Sequence, residues 1–336
     1  MFAYYLHNFS PYIFKFGENF GPRWYGFAYV MAFVCGYWLY TWLAKSGYSE
    51  MPAEKVGDFI TWAALFGVML GGRLGYVLFY KFDDYKSHPL DIFKLWDGGM
   101  SSHGGMLGLI LFTLYYARRH KYSWTGVGDN LCVVAPIGLF FGRCANFING
   151  ELYGRIITGD PSQKVLWWGM QFPHELIEKP VTPEMQTIHQ RVVEKAIGAC
   201  EKIGPGLDDP WNIVDAARTN QSVRDVLAQI LPIRHPSQIY EALLEGIVLF
   251  CALWFLRTKI RSPRGVLTGM FFILYALLRI IGENFRVPDA PMTGPLTRGQ
   301  FLSLFLILIG SAFVIYGMVT KHYEKAGMAK AQPMKN

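Results

Sequence analysis

Apolar residues run almost unbroken through seven stretches of the chain, near 24–44, 57–80, 103–117, 126–142, 237–256, 265–283 and 299–320. About 20 apolar residues suffice to cross a bilayer as a helix. The pattern therefore predicts an all-α polytopic membrane protein with about seven transmembrane helices. Two of the seven are weak. The third reaches length only by including Met100 to His103, and the fourth contains Asp129, Asn130 and Pro136, which makes it a candidate for a broken or re-entrant helix. Within the second, Gly67, Gly71 and Gly75 recur every fourth residue, a small-residue stripe that lets another helix approach closely.

One long stretch, 143–236, departs from the pattern. Pro161, Pro173, Pro180, Pro183, Pro205, Pro210 and Pro232 punctuate it, with helices expected around 184–203 and 211–231. It reads as a head inserted between spans four and five of a single integral membrane domain, 1–336. No internal repeat or low-complexity tract is visible.

Composition agrees. Of 336 residues, 52% are hydrophobic, 16% aromatic and only 17% charged, with a mean hydropathy of +0.20. A soluble domain carries roughly a quarter charged residues, so disordered, disulfide-stapled and ordinary soluble proteins are excluded. The net charge of +7 is scattered in clusters between apolar runs, which argues for membrane topology and against nucleic acid. Five cysteines show no CxxC pair and no metal-ligand spacing, so neither a disulfide framework nor a metal or cofactor is expected. The first 24 residues lack the basic start and cleavage site of a removable signal peptide.

Loop charges set a direction. With the N-terminus outside, the inner loops 45–56, 118–125 and 257–264 and the tail 321–336 hold thirteen Lys and Arg, against seven in 1–23, 81–102 and 284–298. The expectation is a periplasmic N-terminus, a cytoplasmic C-terminus and a periplasmic head in a bacterial inner membrane.

Ionisable residues inside spans are costly and mark cavities or partners. Arg73 lies about 25 Å along span two and Arg279 roughly 21 Å along span six, both toward the outer face at 1.5 Å per residue. Glu241 and Glu245 occupy the first two turns of span five, while His103 and Arg143 sit at the outer ends of spans three and four. Tyr275, Arg279, Glu283 and Arg286 share one helical face. An Arg279–Glu283 pair alone would merely neutralise two buried charges. With Glu241 and Glu245 at the same depth, the set reads as a site for an anionic headgroup that opens to the outer leaflet.

Two Gly-rich segments carry candidate chemistry. In Trp96-Asp97-Gly98-Gly99-Met100-Ser101-Ser102-His103-Gly104-Gly105, glycine pairs flank a histidine at the mouth of a span. In Gly142-Arg143-Cys144-Ala145-Asn146-Phe147-Ile148-Asn149-Gly150-Glu151, followed by Gly154, an arginine suited to phosphate stands beside asparagines able to fix glycerol hydroxyls. Cys144 has no base at a telling local spacing, which disfavours it as a nucleophile.

These segments, with Trp24-Tyr25-Gly26, Gly71-Gly72-Arg73-Leu74-Gly75-Tyr76, Arg234-His235-Pro236-Ser237-Gln238-Ile239-Tyr240-Glu241 and the stretch from Arg279 to Arg286 with Pro288-Asp289, resemble the prolipoprotein diacylglyceryl transferase family. The resemblance implies seven spans with a periplasmic head. It also implies transfer of the diacylglyceryl group of phosphatidylglycerol to the lipobox cysteine of a preprolipoprotein, releasing glycerol phosphate. Residues carried over are His103, Arg143, Asn146, Glu151, Gly154, Tyr25, Arg73, Tyr240, Tyr275, Arg279 and Glu283. Two departures stand out: Ala145 replaces the motif's usual glycine, and the stretch from Gly154 to Arg234 is longer than the family norm.

On this reading the substrate brings its own nucleophile, a thiol of pKa near 8.5 that must be deprotonated. Arg143 and Arg279 are expected to grip the phosphate, with Arg73 as a third partner. Asn146, Glu151 and Tyr25 hold the glycerol headgroup, His103 is the candidate base, and Glu241 and Glu283 orient the arginines. The competing classes are a non-catalytic lipid-binding channel, which needs polar groups continuing to an inner exit, and a phospholipid headgroup transferase, which normally needs an acidic metal-binding donor site. Neither feature is found in the sequence.

Overall fold

The computed structural model describes residues 4–16, 21–94, 99–178, 180–181, 183–288 and 290–323. Trp96, Asp97 and Gly98 of the first Gly-rich motif, Asp289, and the tail residues Lys325, Lys330 and Lys335 lie outside the described residues. Ten helices carry the architecture: α1 (Trp24–Lys45), α2 (Ala53–Tyr80), α3 (Ser102–His120), α4 (Trp124–Asn149), α5 (Pro183–Cys200), α6 (Pro210–Ala216), α7 (Gln221–Ile230), α8 (Ser237–Lys259), α9 (Val266–Glu283) and α10 (Arg298–Thr320).

Six of them, α1, α2, α4, α8, α9 and α10, are long and apolar enough to cross a membrane. The sequence predicts seven. The remaining expected span is α3, helical over 19 residues. Its first turn holds His103 and its last Arg118, Arg119 and His120, which leaves the apolar stretch between them short. The expected break in the fourth span does not occur: α4 continues through Pro136. Membrane helices tolerate such a proline because neighbours re-satisfy the freed carbonyl. α4 also runs to Asn149, seven residues past its expected end at 142, so Arg143, Asn146 and Asn149 lie within the helix rather than just outside it.

The chain divides into two compact units, Met1–Ala32 with Pro136–Ala252 and Phe272–Ile309, and Phe33–Ala135 with Leu253–Phe271 and Gly310–Asn336. The first contains the inserted segment. Four short strands, β1 (Tyr5–Leu6), β2 (Ile156–Thr158), β3 (Met170–Gln171) and β4 (Ile233–Arg234), form a sheet in the order β1-β3-β4-β2. β1 runs parallel to β3, and β4 is antiparallel to both β3 and β2. Strands of two or three residues carry too little alternation to be visible in sequence.

The helix expected over 211–231 is two helices. Pro210 opens α6 behind Asp209, whose Oδ1 accepts from Trp211 N at 3.0 Å. Asn220 then interrupts the run and caps α7, accepting from Ser222 N at 2.9 Å. Apolar faces of α5, α6 and α7 close on Leu176, Cys200, Ile213, Val223, Leu227 and Leu231. Cys200 is a buried free thiol there, as are none of the other four free cysteines.

In the second unit the glycine stripe of α2 meets a glycine stripe of α3. A Cβ on Gly71 would lie 2.7 Å from Gly104 O and 2.8 Å from Gly108 Cα, and one on Gly75 would lie 2.5 Å from Gly104 Cα. The stripe is a helix-packing surface. Asp129 is buried and caps the start of α9, accepting from Gly265 N, Thr268 N and Thr268 Oγ1, each at 2.8 Å.

Candidate functional site

In the first unit, α4, α8 and α9 bring together the charges that the sequence places in separate spans. α8 departs from regular α-geometry over Ala242–Val248, a π-helical stretch that includes Glu245; such widened turns recur at functional sites. Gly246 in this stretch lets α8 approach α4 closely, since a Cβ there would lie 2.6 Å from Phe140 Cβ. Arg143 follows Phe140 by one turn and so faces the two glutamates of α8.

Arg143 Nη1 lies 2.9 Å from Glu241 Oε2, and its Nη2 and Nε donate to Glu245 Oε2 at 2.9 and 3.2 Å. Arg279 of α9 meets the other oxygens of the same carboxylates, Glu241 Oε1 at 2.7 Å and Glu245 Oε1 at 3.2 Å. Its Nη2 lies 3.0 Å from Glu283 Oε2. Arg286 Nη1 adds a longer contact to Glu241 Oε1 at 3.3 Å. Both carboxylates of α8 are 0% exposed, whereas the Arg143 and Arg279 side chains retain 15% and 12%. Three arginines thus balance three glutamates. Buried ions cost several kcal/mol each unless paired this completely.

Glu245 and Arg286, which the sequence places in the headgroup site without an individual role, both belong to this network. Glu245 was legible as the residue one turn after Glu241. Arg286 enters by a different route from the one expected. α9 ends at Glu283, so Arg286 does not continue the helical face of Tyr275, Arg279 and Glu283. It pairs in an isolated bridge with Gly154, which directs its side chain back to Glu241. Gly154 has to be glycine here, because a Cβ would sit 2.5 Å from both His235 O and Phe285 O. Tyr275 stands one turn before Arg279 on α9.

A second cluster adjoins the end of α4. Asn146 Nδ2 donates to Tyr25 Oη at 3.0 Å and to Glu151 Oε1 at 2.8 Å. The chain after Asn149 turns through Gly150 and Leu152, both with positive φ, which carries Glu151 back toward Asn146. Gln238 Nε2 and Ser237 Oγ tie this turn to α8 through the carbonyls of Glu151 and Leu152, at 2.7 and 3.0 Å.

Arg143 also borders a cavity of about 440 Å³. Phe9, Trp24, Phe140, Phe147, Ile148, Ile239 and Leu243 make most of its wall; Arg143 is the charged residue among those lining it, with Ser10, Cys144 and Gln238 as the other polar ones. Drug-sized ligands bind cavities of this size with mostly apolar walls and few polar groups.

Tyr240 belongs to a different neighbourhood. Its hydroxyl accepts from Trp168 Nε1 at 2.8 Å and lies 3.2 Å from His235 Nδ1, with the Phe285 ring against it. Behind it, Glu175 pairs with Arg234. Arg234 lies over the Tyr153 ring and donates to Gly154 O at 3.2 Å. Burial pushes the Glu175 carboxyl up despite that arginine, and pushes the His174 imidazole down.

Arg73 and His103 lie in the second unit. Arg73 is buried, and its guanidinium donates to the carbonyls of Asp91, Ile92, Lys94 and Gly99 at 2.8, 2.8, 2.9 and 3.2 Å. His103 is exposed in the first turn of α3, beside the cap in which Ser101 Oγ accepts from Gly104 N at 3.1 Å.

These features define a polytopic helical membrane protein with an intramembrane arginine–glutamate network at the edge of an apolar cavity. The pattern of the prolipoprotein diacylglyceryl transferase family matches residues 11–316, and the chain belongs to that family. It is 36% identical to the phosphatidylglycerol–prolipoprotein diacylglyceryl transferase of Bdellovibrio bacteriovorus, over 92% of this chain and 93% of the relative. Identity to the protein of the same name from Neisseria gonorrhoeae is 37%, over 94% and 99%. To that from Rhodospirillum centenum it is 38%, over 86% and 84%.

Proposed function

We propose that this chain carries out the reaction its relatives are named for, transfer of diacylglyceryl from phosphatidylglycerol to a prolipoprotein. The observation that carries the reading is Arg143, held by two fully buried glutamates at the edge of an apolar cavity. The cavity walls suit acyl and glyceryl carbons, and the guanidinium suits phosphate.

In the reaction, the acceptor cysteine sulfur attacks the glyceryl carbon that bears the phosphate ester. A C–S bond forms, the C–O bond breaks, and glycerol phosphate leaves with the electron pair while the thiol proton passes to a base. Arg143, with Arg279 behind it, stabilises charge on the departing phosphate. Glu241, Glu245 and Glu283 hold the two guanidiniums in place before substrate arrives, so little reorganisation is needed as charge develops. Asn146, with Tyr25 and Glu151, holds the glycerol headgroup; Gly154, Tyr275 and Tyr240 are assigned to substrate binding. Arg73 is assigned to holding Asp91, Ile92, Lys94 and Gly99, because its donors meet their carbonyls. His103 is assigned as the base. The N-terminus and the inserted segment face the periplasm and the C-terminus the cytoplasm, as the excess of Lys and Arg in the other loops favours.

The test is mass spectrometry of a lipobox peptide incubated with phosphatidylglycerol and the protein in detergent or vesicles. Gain of one diacylglyceryl group on the cysteine is expected. Lipid movement without peptide modification would point to a channel, and exchange of the headgroup to a headgroup transferase. His103→Asn should abolish transfer; normal turnover would remove the base assignment.

A further inference from the structure

The cavity beside Arg143 contains a polar group with no role so far. Gln238 lies in the first turn of α8, lines the cavity and is 0% exposed. Its Nε2 donates to Glu151 O at 2.7 Å. That bond fixes which way round the amide sits, because only the NH2 group can donate to a carbonyl. Gln238 Oε1 is therefore an acceptor, and it meets no donor. Buried acceptors without a donor are uncommon in folded proteins and destabilising. Arg143, Ser10, Cys144 and Trp24 line the same cavity and carry donors, and none of them bonds Gln238 Oε1.

We propose that Gln238 Oε1 accepts a hydrogen bond from a hydroxyl of the lipid headgroup, so that Gln238 selects a polyol headgroup from among anionic lipids. The proposal rests on the phosphatidylglycerol reading above and divides recognition between two residues. Arg143 answers the phosphate, which every anionic phospholipid carries. Gln238 answers the hydroxyl, which separates a glycerol headgroup from an alkyl one. A site that hydrogen-bonds a substrate hydroxyl discriminates strongly against the analogue lacking it, because the analogue leaves the buried acceptor unpaired. The acceptor thiol is the competing donor, but S–H donates weakly.

The experiment compares phosphatidylglycerol with phosphatidylpropanol, the same phosphate diester without headgroup hydroxyls. Both binding (native mass spectrometry of the intact protein in detergent) and transfer to a lipobox peptide are followed. The wild-type protein should prefer phosphatidylglycerol by about tenfold or more. Gln238→Met should reduce that preference to near one by weakening the phosphatidylglycerol reaction, and phosphatidylpropanol turnover by the same variant reports its folding. Equal loss with both lipids, or a raised KM for the peptide with lipid preference intact, overturns the proposal. If the variant does not fold, the wild-type comparison decides, since equal affinity for the two lipids is equally fatal. Preferential binding without any peptide modification would retain the Gln238 assignment while removing the transferase reading.

Discussion

Arg73 and Arg143 both lie inside spanning helices, one in each unit, and their surroundings differ in kind. Among the described residues, Arg73 donates to four neutral carbonyls, those of Asp91, Ile92, Lys94 and Gly99. Arg143 is held by two carboxylates and borders a cavity. Both satisfy the requirement that a buried guanidinium find partners. Carbonyls saturate the donors and tie down a piece of chain. Carboxylates fix the charge in space at the edge of a volume that a ligand can fill. The cost of an intramembrane charge thus announces that a partner exists, and the type of partner separates the two arginines.

Removing Arg143 tests that distinction most severely. In Arg143→Ala, Glu241 keeps Arg279 and Arg286 and Glu245 keeps Arg279, but both lose Arg143, and breaking a buried pair costs about 3–5 kcal/mol. Transfer to a lipobox peptide, followed by mass spectrometry, should fall by about 100-fold or more. Arg143→Lys keeps the charge but loses the planar fork, so it should recover only part of the rate. Wild-type turnover in Arg143→Ala would break the comparison outright.

A buried titratable group with no ionic partner supplies a third case. His7 packs against Phe9, Phe147 and Phe172, and burial pushes its imidazole down to about 4. Between that value and the ordinary 6.5 the unfolded chain binds more protons than the folded one, so stability is full above pH 6.5 and is lost as pH falls toward 4. The loss should approach about 3 kcal/mol. Thermal unfolding in detergent from pH 7 to pH 4 should show it in the wild-type protein, and less steeply in His7→Gln. Identical slopes would mean that His7 does not carry the acid sensitivity.

Arg73→Met sharpens the other side of the comparison. It removes the hydrogen bonds to the carbonyls of Asp91, Ile92, Lys94 and Gly99, so a loss of about 1–3 kcal/mol is expected. That loss should appear as a lower unfolding temperature, with transfer falling only in proportion to the folded fraction. A full-length, stably folded Arg73→Met without activity would move Arg73 to the phosphate.

Much of this arrangement was legible in the sequence. Runs of apolar residues located the long helices, and Arg143, Arg279, Glu241 and Glu283 stood out because charge is rare there. What stayed hidden was geometry that neighbouring elements impose. The end of α4 could not be read, because Arg143 and Asn146 look like loop residues until Glu245 and Glu151 satisfy them inside the helix. Arg286 fits a continued helical face by spacing, but its position comes from pairing with Gly154 across the fold. The π-helical turn around Glu245 has no sequence period of its own. Four partners of Arg73 are backbone carbonyls, and a carbonyl carries no residue identity to read.

The smallest expected effect concerns Ala145, which stands in α4 between Arg143 and Asn146 where the family motif usually has glycine. A glycine is required there only if the backbone has positive φ or if a Cβ would collide. Neither holds: the non-glycine residues with positive φ are Lys121, Leu152 and Lys321 among those described, and Ala145 is buried within regular helix. Its methyl group therefore stabilises the turn that presents Arg143 to the glutamates of α8 and Asn146 to Glu151. Ala145→Gly should cost about 0.5–1 kcal/mol, a small drop in unfolding temperature, with kcat and KM for transfer unchanged. A several-fold rise in kcat instead would show that the end of α4 must loosen during the reaction, and that the paired arrangement around Arg143 is one of two working states.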